Sequence, residues 1–137
     1  MSEEQNTKLV QQIYDAFKSG DIPSLLGSLS DDVQWQLPEI SNIPFAGKRS
    51  GREAVAQFFA LVADSQDVLQ FEPQQFIAQG NKVVSLGHYA WRVRSTGREF
   101  ESDFAHVFTI SNGEVVGFQE YLDTAVELAA YQKAANA

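Results

Sequence analysis

The sequence has no cysteine, a single methionine and only four prolines in 137 residues. Without cysteine there is no disulfide framework, no thiolate metal site and no thiol nucleophile. The fold must therefore rest on an apolar core. A chain of this length buries roughly two-thirds of its unfolded surface, and a 44% hydrophobic share is enough to fill one such core. Basic residues are also scarce, with ten Lys/Arg against eighteen Asp/Glu and a formal net charge of −8. Such a surface repels a phosphate backbone, which argues against a nucleic-acid partner. Long apolar runs are missing too: nothing approaches the about 18 residues of a membrane span. The opening Ser2-Glu3-Glu4-Gln5 is too polar for a signal peptide. The expectation is one cytoplasmic domain over residues 1–137, away from membranes.

What is present divides into helices first and strands after. Leu9, Val10, Ile13, Ala16 and Phe17 recur at three- and four-residue spacing behind a Ser2/Gln5 capping box, which predicts a helix ending at Ser19-Gly20-Asp21. A second short helix is expected over 22–29, with Pro23 in its first turn and Leu25, Leu26 and Leu29 inward. Val33, Trp35 and Leu37 alternate with Gln34 and Gln36 as a brief strand. The 38–51 segment, with two prolines and two glycines, is the expected rim or lid. Ser50 and Glu53 form a second capping box before a helix carrying Val55, Phe58, Phe59 and Val62. Strands follow over roughly 67–79, 82–94, 99–110 and 114–122, joined by short turns that make neighbours antiparallel. Thr124 and Glu127 read as a third capping box, opening a final helix over 125–134. Asp31, Asp32 and Asp123 read as turn and cap residues. The pattern is α+β: N-terminal helices packed on a strongly curved antiparallel sheet.

Alternation assigns the last strands to faces. Phe104, His106, Phe108 and Ile110 form one set, and Val116, Phe118, Glu120 and Leu122 another. A three-residue loop Ser111-Asn112-Gly113 keeps both sets on the concave side, with His106 opposite Phe118 and Glu120 on the diagonal. The same loop type at Ser95-Thr96-Gly97 adds Leu86, His88 and Ala90 to that side. Both histidines and one glutamate are thus expected to converge in an apolar hollow. Burial of an unpaired carboxylate raises its pKa and suits it to acid–base work, so Glu120, His106 and His88 are the candidate catalytic residues. Trp35, Leu37, Phe58, Leu86, Phe104, Phe108, Phe118 and Leu122 are the expected lining. No metal is expected there, although two histidines and a glutamate are a possible ligand set. No glycine-rich phosphate loop is present, and no organic cofactor is implied. Arg92, Arg94 and Arg98 gather on one hairpin, read as a solvated surface. Tyr89, Trp91, Val107 and Tyr121 are assigned to the outer sheet face, where an apolar patch favours a homodimer.

These residues resemble the SnoaL-like branch of the nuclear transport factor 2 superfamily, the cystatin-like cone with an internal pocket shared with ketosteroid isomerases and limonene epoxide hydrolases. The resemblance is carried by Val10 to Phe17 with Gly20-Asp21, by Asp31-Asp32-Val33-Gln34-Trp35, by Gly47 to Phe59, and by His106-Val107-Phe108 through Asn112-Gly113 to Glu120-Tyr121-Leu122-Asp123. Ketosteroid isomerases place a base aspartate, a tyrosine and a protonated aspartate where this chain has Leu37, Ile13 and His106, which argues against that mechanism. The Asp-Arg-Asp system of limonene epoxide hydrolases falls on Ala90, His88 and Glu120. Polyketide cyclases of the SnoaL type resemble this site more nearly, in a pocket acid with a histidine. The resemblance implies a homodimer and a small, mostly apolar cyclic metabolite in the cone. It also implies isomerase, cyclase or hydrolase chemistry, or else a non-catalytic ligand-binding or dimerisation domain.

Overall fold

In the computed structural model, which describes residues 2–132, two helices open the chain. In α1 (Glu3–Ser19) the Ser2 hydroxyl accepts from the Gln5 backbone N–H, and the Gln5 side chain accepts from that of Ser2, as the spacing predicts. Gly20 ends it at φ 77°, a left-handed position that a side chain would strain. Asp21 caps α2 (Ile22–Gly27). This helix is shorter than expected because the chain enters the sheet at once: Ser28 accepts from the Val115 N–H, and Leu29 begins β1 (Leu29–Gln36). Asp31 and Asp32 accordingly lie in a strand rather than a turn.

The 38–51 segment is partly core. Ile43 and Phe45 are buried, and its end forms the short β2 (Lys48–Ser50). The expected Ser50/Glu53 capping box is not made. Ser50 is held in the strand, where its hydroxyl accepts from Gln34 at 2.7 Å, and Gly51 caps α3 (Arg52–Ser65) without a side-chain bond. Then come β3 (Gln66–Gln79), β4 (Lys82–Val93), β5 (Glu99–Ser111) and β6 (Glu114–Leu122), and α4 (Thr124–Tyr131). The far end of the helix expected over 125–134 lies outside the described residues.

The six strands form one sheet in the order β2-β1-β6-β5-β4-β3. The β3–β6 meander is antiparallel, as its short turns require. The β1 strand pairs antiparallel with β2 and parallel with β6, so the sheet is mixed at this end. It curls around α1 and α3, whose Val10, Ile13, Tyr14, Val55, Phe58 and Val62 fill the concave side.

Two registers differ from the sequence reading, with different consequences. Between β5 and β6 the turn is the two-residue Asn112-Gly113, both at positive φ, pairing Ser111 with Glu114. That register alone would separate the aromatic faces. An extra residue at Val116 shifts the ladder between Ile110–Val115 and Thr109–Gly117, and this bulge returns Phe118 and Glu120 to the inner face. His106 then stands directly opposite Glu120, and Phe108 opposite Phe118. No such compensation occurs between β4 and β5. Their connection spans four residues, closed by the Val93 N–H donating to the Arg98 carbonyl. Phe104 therefore pairs with Gly87 and His88 with Asp103. A shift of one residue reverses every side chain of a strand. Tyr89, Trp91 and Val93 face inward, while Leu86, His88 and Ala90 face out.

Candidate active site

The concave face encloses a cavity of about 80 Å3 available to water centres, room for several waters or one small ring system. Its walls are mostly aromatic. Of the expected lining, Trp35, Leu37, Phe58, Phe108 and Phe118 border the cavity. Three others do not. Leu86 is on the outer face. Phe104 is buried behind His106, and Leu122 packs half-buried against the core. Both tryptophans of the chain, Trp35 and Trp91, border it. Trp91 and Tyr89, assigned from the sequence to the outer face, are 7% and 3% exposed and lie inside.

A chain of polar groups crosses this apolar wall. The Nε2 of His106 lies 2.7 Å from Glu120 Oε2, and its Nδ1 lies 2.8 Å from the Tyr14 hydroxyl. With a neutral imidazole, Nε2–H donates to the carboxylate and the Tyr14 hydroxyl donates to Nδ1. The side chains are 6% and 12% exposed for His106 and Glu120, so little solvent weakens the pair. Aromatic rings fix the imidazole: Phe104 stacks on it at 4.3 Å between centroids and Phe118 tilts against it at 4.9 Å. Phe104 in turn lies over Gly87, where a Cβ would come within 2.6 Å of its ring and collide with the Glu72 carbonyl. Burial pushes the Tyr14 phenol well above its ordinary range, so it remains a hydrogen donor. Buried Ser85, across the ladder from His106, makes no hydrogen bond through its hydroxyl among the described residues.

His88 takes no part. It lies on the other side of the sheet, where Nδ1 is 2.9 Å from Asp103 and Nε2 is 3.6 Å from Glu101. The three groups expected to converge therefore cannot share one ion or one substrate. Among the described residues no group of three or more His, Asp or Glu is arranged to hold a metal.

A second acid in the cavity was hidden by its capping-box spacing. Asp123, rather than Thr124, caps α4, its carboxylate accepting from the Ala125 N–H at 3.1 Å. This leaves Glu127 free to turn inward, where it borders the cavity at 5% exposure. Burial, and then the negative charge of Glu120, push its carboxyl up to about 8. Tyr89 is raised by burial and then by the charges of Glu120 and Glu127. The signal for Glu127 was its spacing from Ala130 and Tyr131, the buried stripe of a one-sided helix.

A curled sheet over helices is the nuclear-transport-factor-2-like cone. A structure of such a protein from Burkholderia xenovorans LB400 is 31% identical, with a TM-score of 0.88 over 96% of this chain and 99% of that one. The model of the SnoaL-like domain matches residues 10–118, and the chain belongs to that family. TerC, crystallised with polyporic acid, is 25% identical with a TM-score of 0.81, covering 93% of this chain and 98% of its own. A candidate SnoaL-like polyketide cyclase of Mesorhizobium loti shares the fold at 16% identity and a TM-score of 0.70, over 83% and 96% of the two chains. No curated protein matches the sequence. No helix among the described residues is long and apolar enough to cross a membrane.

Proposed function

We propose that this protein takes a small, mostly apolar cyclic metabolite into the cone and performs acid–base chemistry on it with Glu120 and His106, a reaction of isomerase, cyclase or hydrolase type. The observation that supports this most is the Tyr14–His106–Glu120 relay, ending in a carboxylate at the edge of a mostly aromatic cavity. As base, Glu120 takes a proton from the ligand; the His106 N–H holds the carboxylate in place, and Tyr14 fixes the imidazole tautomer. The fold's association with a cyclase candidate and with a protein crystallised with polyporic acid supports a cyclic ligand.

A second reading rests on the same distances. Both ring nitrogens of His106 are satisfied within the protein, as a purely structural relay in a ligand-binding domain would require. Mass spectrometry of the protein as purified tests for a small molecule that co-purifies, and a molecule so found is then offered to wild type and Glu120→Gln. Turnover lost with affinity kept supports the enzyme. Affinity lost or unchanged with no turnover in wild type supports the binder.

We also propose that a second copy of this chain covers the outer sheet face. Of the four residues first assigned there, Val107 and Tyr121 remain, joined by Ile77 and Leu86. Ile77 and Tyr121 are 53% and 51% exposed, which is high for large apolar side chains. The small, cysteine-free acidic chain fits work in the cytoplasm.

A further inference from the structure

The cavity holds a second group capable of proton exchange, on a different element from the relay. We infer that Glu127 is a further catalytic residue, its carboxyl O–H donating to a carbonyl oxygen of the bound ligand while Glu120 acts on the adjacent carbon. This rests on the acid–base reading of the same cavity.

Position is the first argument. Glu127 lies in the first turn of α4, yet Asp123 makes the cap, so the Glu127 side chain is not needed to hold the helix. Its carboxyl forms neither a hydrogen bond nor an ion pair with any described residue, although the side chain is almost fully buried and borders the cavity. A buried carboxyl without a protein partner is costly unless it stays neutral or meets a ligand.

The surroundings decide which form it takes. No lysine or arginine among the described residues borders the cavity. Among the described residues the charge that acts on it is that of Glu120, which disfavours a second anion, and aromatic walls do the same. At neutral pH Glu127 is thus an O–H donor, while Glu120 accepts from His106. Trp35 adds to the pattern: its indole N–H is buried in the same wall without a partner among the described residues. Uncommitted donors together with a carboxylate base match a neutral carbonyl compound with hydrogens beside the carbonyl. Glu120 removes one such hydrogen as a proton. Its bonding pair becomes the carbon–carbon double bond, the carbonyl pair moves to oxygen, and oxygen takes the Glu127 proton. Reversal at the same or a conjugated carbon returns both protons, and no external co-reactant is consumed.

The test uses three phenyl probes of similar size on the intact protein: acetophenone, α-methylstyrene, which has the same shape with a methylene in place of the oxygen, and benzylamine, a cation, with binding measured by calorimetry. Wild type at pH 6.5 should bind acetophenone about tenfold tighter than α-methylstyrene, the worth of one good hydrogen bond. This preference should fall as pH rises through about 8. Glu127→Met, which lacks the donor, should lose the preference. Glu127→Gln, which keeps a donor that does not titrate, should retain it with no dependence on pH. Equal binding of the ketone and the hydrocarbon, a preference for benzylamine, or a flat pH profile in wild type would overturn the assignment to Glu127. Those results would leave the Glu120–His106 reading to its own test, turnover in Glu120→Gln. Binding of none of the three overturns both.

Discussion

His106 and Glu120 face each other directly across the β5–β6 ladder, with 2.7 Å between ring nitrogen and carboxylate oxygen. The pair is largely desolvated, so its two halves depend on each other. Glu120→Ala should cost roughly 3–5 kcal/mol, because the imidazole would lose its acceptor inside an aromatic wall. Glu120→Gln, which still offers an amide oxygen to the His106 N–H, should stay within about 1 kcal/mol of wild type. Urea denaturation of both variants checks the contrast; equal losses would mean that the pair is not coupled.

The other end of the relay makes a separate prediction. Tyr14→Phe keeps the ring that packs edge-on against Phe108 at 5.8 Å and removes only the hydroxyl at Nδ1. Stability should fall by about 1–3 kcal/mol, the cost of an unsatisfied buried nitrogen. Nitrogen-15 NMR of the imidazole should show a changed tautomer balance, and an unaltered spectrum would count against the bond.

Glu127 ties stability to pH. Its carboxyl is raised in the folded protein to about 8, so between the unfolded value of about 4.5 and 8 the folded state binds more protons than the unfolded one. Unfolding free energy therefore falls as pH rises through this window, by an amount of the order of a few kcal/mol. Urea midpoints at pH 6 and pH 9 should differ in wild type. In Glu127→Gln this component of the difference should vanish, and the variant should be the more stable protein at pH 9. An undiminished difference would place the titration elsewhere.

Gly87→Ala should be disproportionately harmful for a single methyl group. The added carbon meets the Phe104 ring and the Glu72 carbonyl, so the ring that stacks on His106 has to move. A loss of about 1–3 kcal/mol is expected from overpacking alone. The His106 resonances should shift with it, whereas Gly27→Ala, with no atom near the new Cβ, should leave them in place.

Tyr121→Glu tests the outer face. If two copies meet there, buried like charges should shift light-scattering mass from dimer to monomer with the far-ultraviolet circular dichroism unchanged. A wild type that is monomeric at high micromolar concentration rejects the interface.

The architecture could be read from the residues because each helix carries a stop, a stripe or a cap, and β3, β4 and β5 each run into a turn that contains glycine. The site was legible in part, and the reason lies in loop length. His106 and Glu120 share a face by two offsetting departures, a shorter turn and the Val116 bulge, and Gly117 next to that bulge was the available sign. His88 was misplaced because the 94–97 loop holds one residue more than the three-residue Ser95-Thr96-Gly97 loop expected there. The strand itself gave the better evidence: Tyr89, Trp91 and Val93 alternate with His88, Ala90 and Arg92, and the polar series belongs outside. Glu127 was concealed by a motif that fits two roles, which the proximity of Asp123 and the spacing to Ala130 distinguish.

Trp35 and Trp91, the chain's two indoles, border one hollow from β1 and β4. The protein's entire tryptophan emission therefore originates beside the proposed binding space, with no remote fluorophore to dilute the signal. Occupancy by an absorbing aromatic guest should dim it in proportion, and a library of compounds can be screened on the unlabelled protein by its own glow.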